Sequence, residues 1–318
     1  MPAELRPGMD HELYSFSPMP RRPDLEWPGH RPLALVVVLY LDWWPLKTPE
    51  GAHRAPDVHG LWGQQFPDLR TFTYRMYGER VGVYRILDLF QRLGIAATVA
   101  VGAEFVNRYP QLIERCLAGG HEIAAHGISA TQMIHSKMSE SEELSHIETS
   151  IEAVTRATGR RPVGWFGQDQ GESTRTPFLL ARSGIEYLAD WPNDEQPYWM
   201  RTSPPLVSLP LQTELDDQQF LWLHQQPSWT YPEAVIEAAD RLAQDGRAQA
   251  QARTLCLGLR SWLSGRPHRI GYLAQALERL VTRNDIWTAP ARDVVHAFSR
   301  LRPPSHGLDP RSTHCSGK

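Results

Sequence analysis

The unbroken apolar run Leu33-Ala34-Leu35-Val36-Val37-Val38-Leu39-Tyr40-Leu41 constrains the fold of this 318-residue chain more than any other stretch. It is rich in β-branched side chains and too short for a typical helix, so it reads as a strand buried on both faces. Strands of that kind belong to parallel sheets covered by helices on either side. The run also falls far short of the ~20 residues that a membrane helix requires. It ends at Asp42-Trp43-Trp44-Pro45, which leaves a carboxylate on the lip of the strand. That carboxylate either caps a turn or faces a site.

A regular rhythm follows a long segment, Lys47 to Tyr77, that is rich in Pro, Gly, His and aromatic residues and has no clear period. Segments of this length in compact domains are usually functional or disordered. Gly78 to Leu93 reads as a helix stopped by Gly94, Ala96 to Val101 as a strand, and Ala103 to Ala118 as a helix stopped by Gly119-Gly120. His121 to Ala125 is the next strand, and Ser139-Glu140-Ser141-Glu142 has the form of a capping box that opens a helix to Thr158. Strand-like Arg161 to Phe166, Ile185 to Ala189, Leu206 to Leu211, Thr254 to Leu259 and Asp285 to Thr288 then alternate with helical Ser173 to Ser183, Tyr231 to Gln244, His268 to Thr282 and Pro290 to Leu301. Alternation at about 25–35 residues implies right-handed βαβ units and about seven parallel strands, enough for a closed or nearly closed barrel. The expected organisation is an extended arm over residues 1–30, one barrel domain over 31–302 and a disordered tail over 303–318.

Composition narrows the function. A formal charge of −3 gives no electrostatic reason to expect nucleic acid or an anionic membrane as a partner. The three cysteines, Cys116, Cys256 and Cys315, form no CxxC pair, which argues for a reducing compartment and against a cysteine-rich zinc site. Met1 to Glu26 is polar and punctuated by proline, without the apolar core of a secretory signal, so a cytoplasmic enzyme is expected.

The second informative stretch is Gly119-Gly120-His121-Glu122-Ile123-Ala124-Ala125-His126-Gly127, a short strand delivering a histidine at its carboxyl end. In barrels and open α/β sheets that end carries the chemistry. The rim then gathers Asp42, His126 with Ser129 and His135, the run Phe166 to Glu172, Asp190 with Asn193 and Asp194, and Arg260. An Asp and a His at one rim suit either a divalent metal that activates water or a general base beside an imidazole, both of which serve acyl-bond hydrolysis. Other routes lack their motifs. There is no GxSxG elbow, no Walker A loop, no GxGxxG after a strand, and His121-Glu122-Ile123-Ala124-Ala125 lacks the second histidine of HExxH.

Several of these residues fall in the order of a known family. Asp42 at a strand end, Gly94-Ile95-Ala96-Ala97-Thr98, Gly120-His121-Glu122-Ile123-Ala124-Ala125-His126-Gly127, Gly159-Arg160-Arg161-Pro162-Val163-Gly164-Trp165 and Leu257 with Leu259 together resemble the polysaccharide deacetylase (NodB-homology, carbohydrate esterase family four) superfamily. The resemblance covers roughly 31–300 and implies an α/β fold, a distorted (β/α) barrel, that hydrolyses a non-peptide carbon–nitrogen bond. Departures fall on the motifs of the metal-dependent members. Their paired aspartates are Tyr40-Leu41-Asp42-Trp43 here, their second histidine is Ala130, their Arg-x-Pro is Phe166-Gly167-Gln168, and their last-strand histidine is Arg260. The acidic and aromatic stretch Trp191 to Tyr198 looks instead like the branch that contains cofactor-independent allantoinases and cyclic-imide hydrolases.

The resemblance implies roles. Asp42 would be base or metal ligand, and His126 metal ligand or polarising acid. Arg260 would stabilise an oxyanion, hold a substrate carboxylate, or be taken up in an ion pair with Asp190 or Asp194. Asp190 would orient Arg260 or a histidine. Trp43, Trp44, Trp62 and Trp165 would wall the pocket with Glu172 and Asp194, although core packing suits Trp165 better. One divalent metal, zinc by ligand type, would need His135 as a third ligand beside Asp42 and His126, and a mechanism without metal stands equally open. The expected substrate is a small or cyclic amide of the allantoin or imide type. Alternatives are an N-acetylated sugar that loses acetate, and a non-catalytic ligand-binding relic. A homo-oligomer is the expected assembly, with neither nucleic acid nor membrane as partner.

Overall fold

The computed structural model describes residues 8–47, 67 and 69–304. Among them, nine strands join in one sheet: β1 (Leu33–Leu41), β2 (Thr98–Val101), β3 (Glu122–Ala125), β4 (Gly164–Trp165), β5 (Tyr187–Leu188), β6 (Tyr198–Trp199), β7 (Val207–Ser208), β8 (Arg253–Arg260) and β9 (Ile286–Thr288). The order is β6-β7-β5-β4-β3-β2-β1-β8, and only the β6–β7 pair is antiparallel. β8 pairs with β1 along Leu33 to Tyr40. The opposite edge of β1 is shared end to end, with β9 beside Leu33 to Leu35 and β2 beside Val38 to Leu41. Every residue of β1 is buried, which is why its sequence does not alternate.

The two faces of β1 bury into different cores. Leu33, Leu35, Val37, Leu39 and Leu41 pack on an outer layer formed by helices Val83–Leu93, Pro110–Ala118, Tyr231–Ala248 and Ile270–Val281. Ala34, Val36, Val38 and Tyr40 face the inside of the curled sheet, against Phe166, Tyr187, Leu209 and the last helix, Ala291–Leu301. The sheet therefore curls into a half-barrel rather than a closed barrel of about seven strands. Its far edge is closed by other means. On β8 the N–H of Thr254 donates to the Glu195 carbonyl (2.8 Å), that of Cys256 to Gln212 Oε1 (2.6 Å) and that of Arg260 to Asp217 Oδ2 (2.8 Å). A seam of loop and side-chain acceptors thus takes the place of a neighbouring strand.

Several boundaries differ from expectation for identifiable reasons. The helix expected from Gly78 begins earlier, as Leu69–Tyr77, and runs through a π-helical turn, Gly78–Gly82, into Val83–Leu93. The expected helix 103–118 is two, Ala103–Arg108 and Pro110–Ala118, because Pro110 has no N–H and holds Tyr109 at φ −127°, ψ 53°. The strand β6 arises in a stretch punctuated by Pro192 and Pro197, where no alternation announces it. The capping box at Ser139 forms as read, with the Glu142 N–H donating to Ser139 Oγ and the Ser139 N–H to Glu142 Oε2. The described part of the N-terminal arm is pinned to the barrel: Leu25 and Trp27 are buried, and the Trp27 indole N–H donates to the Arg253 carbonyl at 2.6 Å. Among the described residues no helix is long and apolar enough to cross a membrane.

Candidate active site

Strand periodicity builds the site. Side chains two residues apart share a face, so Asp42 continues the inward row of Tyr40, and His126 that of Ala124. Gln168 follows Phe166 to the same mouth. There His126 Nε2 lies 3.1 Å from Asp42 Oδ1, and Gln168 Nε2 donates both to Asp42 Oδ1 (3.0 Å) and to the His126 carbonyl (2.7 Å). On its other side, His126 Nδ1 donates to the Phe166 carbonyl at 2.7 Å, since a carbonyl oxygen can only accept. Only Nε2 is left to exchange a proton, and it faces Asp42. Burial pushes the Asp42 carboxyl up, but His126, Arg260 and the Gln168 amide outweigh it and hold the group at about 2. Tyr40 floors the site, its ring centroid 5.1 Å from that of His126.

Cations surround this pair. Arg260 ends β8 over the Tyr40 ring at 4.4 Å, and its Nη1 is held by both oxygens of Asp216 at 2.7 and 2.8 Å. The expected partners Asp190 and Asp194 are thus replaced by Asp216, which the sequence did not single out, with Asp217 Oδ1 at 3.9 Å. Asp217 is fully buried and is pushed up to about 7, by burial first and by Asp216 second. Gly258 lets Asp216 approach, since a Cβ there would lie 2.1 Å from Asp216 Oδ2.

Two further charged groups were not anticipated. Arg75 is 3% exposed, with its guanidinium carbon 3.2 Å from the Trp44 ring centroid, and it bears electrostatically on Asp42 and Arg260. Glu79, one turn on, is pushed up to about 8, by burial first and by Asp42 among the charges, so it is protonated near neutrality. A signal existed in the sequence: Arg75, Glu79, Val83 and Leu87 follow at helical spacing, which places two charges in line with a buried stripe.

The remaining expectations divide. Trp44 reaches the site under Arg75. Trp43 turns outward, packing on the outer core and on Arg108 at 4.5 Å, as its odd position in the strand row dictates. Trp165 is fully buried in a third core cluster with Ile147 and Leu188 and walls no pocket. Asp194 is consumed by Arg22 of the arm at 2.7 Å, so it is no substrate contact. Asp190 does reach the pair: it accepts the Gly167 N–H at 2.6 Å, and burial pushes it up to about 6 against the pull of Glu172, Gly167 and His126. Glu172 lies behind it, held by the Trp191 indole N–H at 2.9 Å and driven well above the usual carboxylate range by burial and by Asp190. Trp62, like His53 and His59, lies outside the described residues.

The described residues do not by themselves make a metal site. A catalytic zinc takes about three protein ligands. His135 is exposed, its Nδ1 accepting the Lys137 N–H at 3.2 Å, so it does not join Asp42 and His126. Ala130 stands where a second histidine would serve, and its N–H is tied to the Trp43 carbonyl at 3.1 Å. Among the described residues no three His, Cys, Asp or Glu side chains gather as a ligand set. Two guanidinium groups bear on Asp42 where a dication would sit.

Comparison with known proteins supports this frame. Residues 75–187 match the polysaccharide deacetylase family model. A putative polysaccharide deacetylase of Schizosaccharomyces pombe is 24% identical over 247 residues, covering 71% of this chain and 75% of the relative. The peptidoglycan deacetylase of Helicobacter pylori is 26% identical over 156 residues, covering 49% of this chain and 52% of that protein. Among solved structures, PuuE allantoinase superposes with a TM-score of 0.79 at 27% identity, over 93% of this chain and 99% of the other. A probable polysaccharide deacetylase from Pseudomonas aeruginosa superposes with a TM-score of 0.77 at 27% identity, over 91% and 96%. The expected polysaccharide deacetylase resemblance and the distorted (β/α) barrel are both borne out.

Proposed function

We propose that this polysaccharide-deacetylase-type chain is a hydrolase of non-peptide carbon–nitrogen bonds that opens small, cyclic amides. The reading rests on the Asp42–His126 pair at 3.1 Å, set among guanidinium groups, with no set of three metal ligands gathered there among the described residues. Hydrolysis there needs a water held against an acyl carbon and a route for its proton. Asp42 remains ionised across the neutral range and orients the water. The water oxygen bonds to the acyl carbon, the carbon–nitrogen bond breaks, and the proton passes through the Asp42–His126 pair to the leaving nitrogen. Because Nδ1 is tied to Phe166, transfer is confined to Nε2, which faces Asp42. In a ring the amine and the new carboxylate stay in one molecule. The similarity to an allantoinase over nearly the whole chain supports the cyclic substrate.

The test is a panel of hydantoin, succinimide and lactam rings with the purified chain, before and after dialysis against a chelator. Ring opening that survives dialysis and is lost in Asp42→Asn is expected. If no ring opens, or if Asp42→Asn turns over like the wild type, the reading fails. The match of residues 75–187 to polysaccharide deacetylases favours one second reading, N-deacetylation of sugars, which acetate release from chitooligosaccharides would establish.

A further inference from the structure

Arg75 is a charged group beside the reactive pair that the reaction above leaves unused. It is 3% exposed, yet Nε and Nη1 have no hydrogen-bond acceptor among the described residues. Nearby groups do not supply one. Glu79 is protonated near neutrality, and its own Oε2 lacks a partner. Asp42 acts on Arg75 through space while its Oδ1 receives Gln168 and faces His126. Stacking over Trp44 at 3.2 Å, with Trp262 at 5.3 Å, fixes the guanidinium without using its N–H groups, which lie in the guanidinium plane. Buried donors are nearly always paired, so donors left open at the mouth of a site point to a ligand that brings the acceptors. Arg260 is less free for that task, because its Nη1 is held by Asp216.

A planar group with two oxygens is what an arginine fork pairs best. We propose that Arg75 is the anion-binding residue of the site: it receives the acyl oxygen of the substrate and holds the carboxylate that hydrolysis leaves. The proposal rests on the hydrolytic reading above, because that reaction turns a neutral acyl group into an anion. It also assigns to Arg75 the carboxylate-holding role that the sequence offered to Arg260.

Binding tests it without turnover. Titration calorimetry of the full chain would compare N-carbamoylglycine, a ring-opened acid, with its uncharged amide, in wild type, Arg75→Gln and Arg75→Lys. The wild type is expected to bind the acid at least ~10-fold more tightly than the amide. Arg75→Gln should erase that preference, and Arg75→Lys, which keeps the charge and loses the fork, should fall between. Should Arg75→Gln fail to fold, Arg75→Lys and Trp44→Leu carry the test, each lowering the acid-to-amide ratio. No binding of the acid by wild type, no preference for it, or an unchanged preference in the variants overturns the proposal. Acid binding that depends on Arg75 without any ring opening removes only the hydrolytic reading. Ring opening with binding indifferent to Arg75 removes only this one.

Discussion

Asp42 and Glu79 are both buried carboxyls, and their surroundings drive them in opposite directions. Asp42 receives His126 and Gln168 and sits at about 2, whereas at Glu79 burial outweighs the hydrogen bond from its own backbone N–H and the group sits at about 8. Asp42→Asn keeps the shape and removes the charge, so kcat/KM for ring opening is expected to fall by about 10³-fold or more, and the melting temperature at neutral pH to drop as well because the ionised carboxylate stabilises the fold. Glu79 gives a pH signature in stability. Between its ordinary value of 4.5 and about 8, the folded chain keeps a proton that the unfolded chain has released, so stability falls as pH rises through that window and then levels off. Glu79→Gln should flatten that slope, by at most about 1.4 kcal/mol per pH unit, in urea titrations at pH 5, 6, 7 and 8. Asp42 works in the other sense, adding stability above its ordinary 3.8 that is lost as pH falls towards 2. Asp42 and His126 were legible in the sequence because each ends a strand. Arg75 and Glu79 were marked only by their helical spacing with Val83 and Leu87, and Asp216 not at all, since their roles come from packing between segments far apart in the chain.

Among the elements, the turn Gly78–Gly82 does the positioning. It lies directly after the helix that carries Arg75 and passes so close to Ser261 that a Cβ on Gly82 would lie 2.0 Å from the Ser261 backbone oxygen. Gly82→Ala must push the turn off the Ser261–Ser264 helix, at a cost of about 1–3 kcal/mol. A melting temperature lower by roughly 2–4 °C per kcal/mol is expected, with a loss of activity larger than that stability change explains. Thermal melts and rates on the same sample would check both. Here the sequence was half informative: Gly78 was visible as a helix boundary, but Gly82 and its partner across the fold were not. Capping chemistry, by contrast, is local, and Ser139 with Glu142 was readable as it stands. Ser139→Ala is expected to cost about 0.5–2 kcal/mol by denaturant titration.

For the molecule as a whole, β1 is covered by a layer on each side because it is apolar on both faces, and that much β1 declares in its own residues. How the curl ends is not declared. The seam along β8 depends on single acceptors such as Gln212, whose Oε1 takes the Cys256 N–H. Gln212→Leu strands that buried donor and should cost about 1–3 kcal/mol, with faster hydrogen exchange at Cys256 than at its odd-numbered neighbours bonded to β1.

The arrangement around β1 also matters while the protein is being made. Leu33–Leu41 is made long before β8, which pairs with it along Leu33 to Tyr40 and ends at Arg260, whereas β2 arrives sooner but covers only the Val38 to Leu41 end of the other edge. At roughly 5–20 residues per second, the β8 edge of this apolar segment waits on the order of tens of seconds for its partner. During that interval this edge is unpaired and sticky, and a nascent chain stalled before β8 would be a natural client for chaperones.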